Sequence, residues 1–94
     1  MYTLSAKLSF HIPHANSLKD KRQICRALVD KAQHRFNASI AEVGTQDIIR
    51  TMTIGVAIVS GNYSHAQESL ENVIRFAEKF AGESGAELTE VEEF

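Results

Sequence analysis

The chain has 94 residues, 44% hydrophobic and 23% charged, with ten Lys/Arg against twelve Asp/Glu for a net charge of −2. Those proportions fit one soluble domain, residues 1–94, with room for one modest core, and they argue against steering toward nucleic acid by overall charge. No basic start leads into a long apolar run, so neither a signal peptide nor a membrane span is expected, and the lone Cys25 offers no internal disulfide and no Cys-Cys metal spacing; both features fit a reducing cytoplasm.

Residues 2–12 alternate, with Tyr2, Leu4, Ala6, Leu8, Phe10 and Ile12 on one side and Thr3, Ser5, Lys7, Ser9 and His11 on the other, which predicts a strand with one buried face. Pro13 closes it by removing a ladder donor. Ser17 is placed to cap a helix over Leu18–Arg35, with Asp20 reaching back as a short capping box. Leu18, Ile24, Cys25, Leu28, Val29 and Ala32 fall on one arc of that helix, and Lys19, Arg22, Arg26, Asp30 and Gln33 on the opposite side. Lys21 breaks the pattern because its angle lies inside the apolar arc, where a lysine must snorkel or meet an acid.

Residues 36–43 alternate again and predict a second strand, with Glu42 in phase with Ile40 and so turned toward the helices. Gly44-Thr45-Gln46-Asp47 reads as a hairpin connection to a third strand over residues 48–59, rich in β-branched residues. Ser64 with Gln67 suggests a capping box for a second helix striped by Ala66, Leu70, Val73, Ile74, Ala77, Phe80 and Ala81. Gly82 to Gly85 ends it, and residues 86–94 form a last strand whose alternation is blurred, since Leu88 and Val91 differ in parity. The order β-α-β-β-α-β is the ferredoxin-like α+β arrangement, a four-stranded antiparallel sheet carrying both helices on one face.

Charge divides along the chain: residues 1–60 hold eight Lys/Arg and four Asp/Glu, whereas residues 61–94 hold two and eight. Right-handed crossovers bring the end of the first strand, the start of the first helix, the hairpin and the loop after the second helix to one edge. That polar rim gathers His11, His14, Ser17, Lys19, Asp20, Lys21, Arg22, Glu42, Gln46 and Asp47. Lys21 and Glu42 are expected to pair there, and the pair is read first as structural, because ion pairs that fix a fold resemble functional ones.

Several chemistries are disfavoured by spacing. His11 and His14 flank Pro13 without further Cys/His ligands, so zinc is not expected, and no other metal or cofactor is implied. Ser17, His14 and Asp20 or Asp47 could be assembled into a triad, but no G-x-S-x-G elbow exposes the serine. Gly82-Glu83-Ser84-Gly85 mimics a nucleic-acid-clamping G-x-x-G loop but sets a glutamate where a phosphate would sit. The open sheet face presents Thr3, Ser5, Lys7, Thr51, Thr53, Gly55 and Ala57 in place of the aromatic stacking platform of RNA-recognition motifs, which suits packing against another protein surface, a second copy first.

The stretches SLKDKR at 17–22, FNASIAEVGTQD at 36–47 and MTIGVAIVS at 52–60 resemble the YlxP-like bacterial proteins, a domain of unknown function, family 503. The resemblance covers nearly the whole chain and implies a ferredoxin-like domain encoded near translation-initiation and ribosome-maturation factors, hence a connection to the ribosome or RNA and no established activity. Its motif residues Ser17, Lys19, Lys21, Arg22, Ser39, Glu42 and Asp47 lie on the rim or beside it.

Three roles follow as expectations. One is a non-enzymatic, homodimeric interaction module whose rim and first-helix stripe (Lys19, Arg22, Arg26) meet RNA or a ribosomal component, without metal or membrane. Another is a small enzyme or ligand-binding protein using Lys21, Glu42, Asp47 and His14 as acid, base and anion-holding groups. The third is a purely self-associating protein.

Overall fold

The computed structural model describes residues 1–94. Its elements are β1 (Tyr2–His11), α1 (Leu18–Arg35), β2 (Ser39–Glu42), β3 (Thr51–Ser60), α2 (Tyr63–Glu83) and β4 (Glu87–Glu93). The antiparallel sheet has the order β2-β3-β1-β4, so β1 and β3 are central and β2 and β4 are edges, as the ferredoxin-like arrangement requires.

The core lies between the sheet and the helices. Ala6, Leu8 and Phe10 of β1 and Met52, Ile54, Val56 and Ile58 of β3 meet Leu28 and Ala32 of α1 and Leu70, Val73, Ala77 and Ala81 of α2. The period of two in the strands and of 3.6 in the helices selects these residues, and apolar burial on this scale is what holds a chain of this length folded. No helix is long and apolar enough to cross a membrane.

Three element starts differ from the sequence expectation by two residues or more, each for a local reason. β2 starts at Ser39 because the Phe36 amide is already committed to the Ala32 carbonyl as the end of α1. β3 starts at Thr51, since the Ile48 amide closes a turn onto the Thr45 carbonyl and leaves Ile48 and Ile49 exposed. α2 is capped by Asn62, not Ser64: the Asn62 side chain accepts from the His65 amide at 3.0 Å, an equally good cap one half-turn earlier. The earlier start lets Tyr63 meet the Tyr2 ring edge-on at 5.5 Å.

The blurred alternation of the last strand is a β-bulge. Ser9 pairs with Glu90 while Phe10 pairs with Leu88, so Thr89 is the extra residue, and its hydroxyl donates to the Ser9 carbonyl at 3.1 Å. Leu88 and Val91 therefore oppose Phe10 and Leu8, two residues of the same face, despite their different parity.

Candidate functional site

The start of α1 is built from short polar side chains. Ser17 Oγ accepts from the Asp20 amide at 3.1 Å, and Asp20 Oδ2 accepts from the Asn16 amide at 3.0 Å, so the reach-back goes one residue further than a standard capping box. This fixes the phase of the helix and turns Lys21 inward. Lys21 is the sole charged residue in the core, with 0% exposure.

Three groups receive its ammonium. Nζ lies 2.9 Å from Glu42 Oε2, donates to the Thr45 carbonyl, and stands 3.4 Å from the Thr51 carbonyl. Glu42 faces the helices from the end of β2, and its side chain is 14% exposed. The same Oε2 accepts from Thr45 Oγ1 at 2.9 Å, and Thr45 Oγ1 in turn accepts from the Thr53 amide at 2.9 Å. The network therefore links α1, the end of β2, the connecting loop and the start of β3. No buried side-chain polar atom is left without a partner.

The loop, residues 43–50, is longer than a tight hairpin and is pinned along its length. The Val43 amide donates to the Thr53 carbonyl at 2.8 Å, Gln46 Nε2 to the Glu42 carbonyl at 3.2 Å, and Arg50 Nε to the Ala15 carbonyl at 3.1 Å. Gly44 takes φ +79°, a conformation that disfavours a side chain. Gly85, after α2, sits beside His14, which brings the fourth polar stretch to the same end.

Cys25, one turn after Lys21, completes the inner wall. Burial raises its thiol from 9.0 to about 11, the negative charge of Glu42 adds to the rise, and Lys21 and Arg26 oppose it only in part. The group is an inert thiol at neutral pH.

Most of the sequence-selected residues share this end: Ser17, Lys19, Lys21, Arg22, Glu42 and Asp47 border α1 and the loop. Two do not. Arg26 lies a further turn down α1, exposed on the same flank as Lys19 and Arg22. Ser39 pairs with Ala57 at the far end of β2 and faces the open side of the sheet, because its parity is opposite to that of Glu42. Sequence reasoning missed Thr45, Arg50 and Thr51 as anchors; a backbone carbonyl or a threonine hydroxyl in a loop carries no pattern that periodicity detects. No group of three or more His, Cys, Asp or Glu stands close enough to hold a metal ion, and His11 and His14 are both exposed.

The fold has solved counterparts of varied kinds. A C-terminal segment of the alpha subunit of aIF2 from Pyrococcus abyssi matches with TM-score 0.62 at 17% identity, over 99% of this chain and 50% of that one. The Bacillus subtilis YXEP protein, a dinuclear metal binding peptidase of the M20 family, matches with TM-score 0.59 at 16% identity, over 98% of this chain and 25% of that one. A de novo designed protein with ferredoxin fold, LFR1 1, matches with TM-score 0.58 at 17% identity, over 95% and 82%. These establish architecture alone, since one fold hosts many functions. The uncharacterized protein YlxP of Bacillus subtilis (strain 168) is 35% identical over 66 residues, covering 70% of this chain and 72% of the relative. The family described as "Protein of unknown function (DUF503)" matches residues 3–93, and the chain belongs to that family.

Proposed function

We propose that this protein is a non-catalytic interaction module that meets RNA phosphates, free or within a ribosomal particle, through the flank of α1 beside the rim. One observation carries this reading: of the ten Lys/Arg only Lys7 and Lys21 form ion pairs, so Lys19, Arg22 and Arg26 stand exposed and without an ion-pair partner on one side of α1. Such a row suits a polyanion that follows the helix. Lys21 in this reading is a positioning residue. Its ammonium is spent inside the fold, where it fixes the loop that carries Gln46 and Asp47. The setting implied by the family resemblance, beside translation-initiation and ribosome-maturation factors, agrees.

The test is binding to purified ribosomal RNA across a salt series. Affinity of the wild-type protein should fall with a log–log slope of about 0.7 to 0.9 per phosphate contact. The exposed triple variant Lys19→Gln/Arg22→Gln/Arg26→Gln should lose at least about tenfold in affinity and lower that slope by roughly 2 to 3. A salt-independent affinity, or an unchanged triple variant, would refute the reading.

The open sheet face is read as the self-association surface. Ala41, Val43, Gly55, Ala57 and Phe94 line a shallow, mostly apolar hollow there, and an added Cβ at Gly55 would stand 3.2 Å from Val43 Cγ1, so the strands leave little relief. Light scattering should show a mass that doubles with concentration in the wild type and stays monomeric in Ala57→Glu; a monomer at every concentration removes this part.

A further inference from the structure

A second basic surface lies in the seam between the end of α1 and the second half of α2. The groove there has a volume of about 570 Å³. Its floor is aromatic: Phe76 and Phe80 are stacked with centroids 5.8 Å apart and planes at 26°, and Phe36 meets Phe76 edge-on at 5.5 Å. Three of the seven Phe and Tyr side chains are thus gathered in one place, each packed against the core but not sealed within it.

Its walls are cationic. The Arg35 guanidinium sits 5.7 Å from the Phe36 centroid and 5.3 Å from that of Phe76, a planar cation laid over two rings. Arg75 and Lys79 of α2 also line the groove, and they are the only Lys/Arg after residue 60, in a segment that carries eight carboxylates. Arg75 donates to Asn72 Oδ1 at 2.9 Å, and neither it nor Lys79 is ion-paired, although Glu71 and Glu83 stand one turn away on α2. Glu83 is the single carboxylate lining the groove. A simple seal over the core edge would account for Arg35 but not for the other two cations.

We propose that this groove takes a segment of single-stranded nucleic acid, with a base against the Phe76–Phe80 pair and phosphates on Arg35, Arg75 and Lys79. The inference deepens the reading that the protein meets RNA and names the form of RNA that this second surface recognises. Base–aromatic stacking beside cations is the general means of holding unpaired strands. An acidic peptide matches the charge equally, but it has no use for flat ring faces and a stacked guanidinium, so nucleic acid fits the groove better.

The experiment is fluorescence anisotropy of a labelled single-stranded oligouridylate, with folding of each variant checked by circular dichroism. Arg75→Gln/Lys79→Gln, both exposed, should weaken binding about tenfold or more and lower the salt slope by roughly 1.4, from about 0.7 per contact on single strands. Phe80→Leu keeps an apolar side chain but removes the ring, and should weaken binding about fivefold or more. Polyglutamate and uridine monophosphate should displace the probe only at far higher concentrations. Wild-type affinity in the Arg75/Lys79 variant, or displacement by polyglutamate as effective as by RNA, would overturn the proposal; monophosphate binding as tight as the oligomer would reduce the groove to a mononucleotide site and overturn it too. Weakening by the Lys19/Arg22/Arg26 variant alone would sink this inference and leave the α1-flank reading standing. Weakening by the groove variants, with ribosomal RNA binding unmoved by the flank variant, would do the reverse.

Discussion

Glu42→Leu should destabilise the protein by about 3–5 kcal/mol, the cost of leaving one buried charge without its partner. The reason is an asymmetry within the pair. Lys21 has no exposed atom, so an ammonium left there with only the Thr45 and Thr51 carbonyls cannot rehydrate, whereas Glu42 keeps 14% of its side chain in solvent. The opposite single change, Lys21→Met, therefore strands the group that can recover. The Thr45 carbonyl also still receives the Ile48 amide. Its expected cost is about 1–3 kcal/mol. A chain of this length has roughly 5–15 kcal/mol of stability in all, so Glu42→Leu removes about a fifth of it or more. Lys21→Met/Glu42→Leu together should be more stable than Glu42→Leu alone, because removing both charges removes the desolvation problem. Urea denaturation checks this: the midpoint should drop most in Glu42→Leu and recover in the double variant. Equal loss in both single variants, adding up in the double, would show two unrelated side chains.

Thr45→Val should cost about 2–4 kcal/mol, although the two side chains have nearly the same shape. Its hydroxyl donates to Glu42 and accepts from the Thr53 amide, and valine provides neither group, which leaves a backbone N–H near the start of β3 unsatisfied and Glu42 with one donor fewer. Each unmade partner costs roughly 1–3 kcal/mol. Because Thr45, Glu42 and Lys21 share one network, the Thr45→Val loss should be smaller in the Lys21→Met background; a double-mutant cycle with zero coupling would contradict that.

The core of this arrangement was legible before any coordinates. Lys21 falls in the apolar arc of a helix whose phase Ser17 sets, and Glu42 shares the parity of Ile40; a period of 3.6 and a period of 2 are enough to aim the two at each other. What periodicity does not carry is loop geometry. Thr45 looks like a turn residue, and nothing in its neighbourhood shows that the turn folds back until its carbonyl and hydroxyl both reach inward. The motif places Ser39 on or beside the rim, yet its own parity sends it to the other face. The Thr89 bulge hides in a strand whose two apolar residues seem out of step. The aromatic groove was illegible for another reason: Arg35 and Phe36 are about forty residues from Phe76 and Lys79, and only helix packing unites them.

Lys21 is held here to be the fastener that keeps residues 43–50 closed against α1, and native-state amide hydrogen exchange reads that directly. The Val43, Ile48 and Thr53 amides, all hydrogen-bonded within or beside the loop, should be protected in the wild-type protein. In Lys21→Met they should exchange at least about tenfold faster while the central amides of β1 and β3 keep their protection relative to global unfolding. Loop amides that exchange freely in the wild type, or that keep their protection in Lys21→Met, would contradict the account.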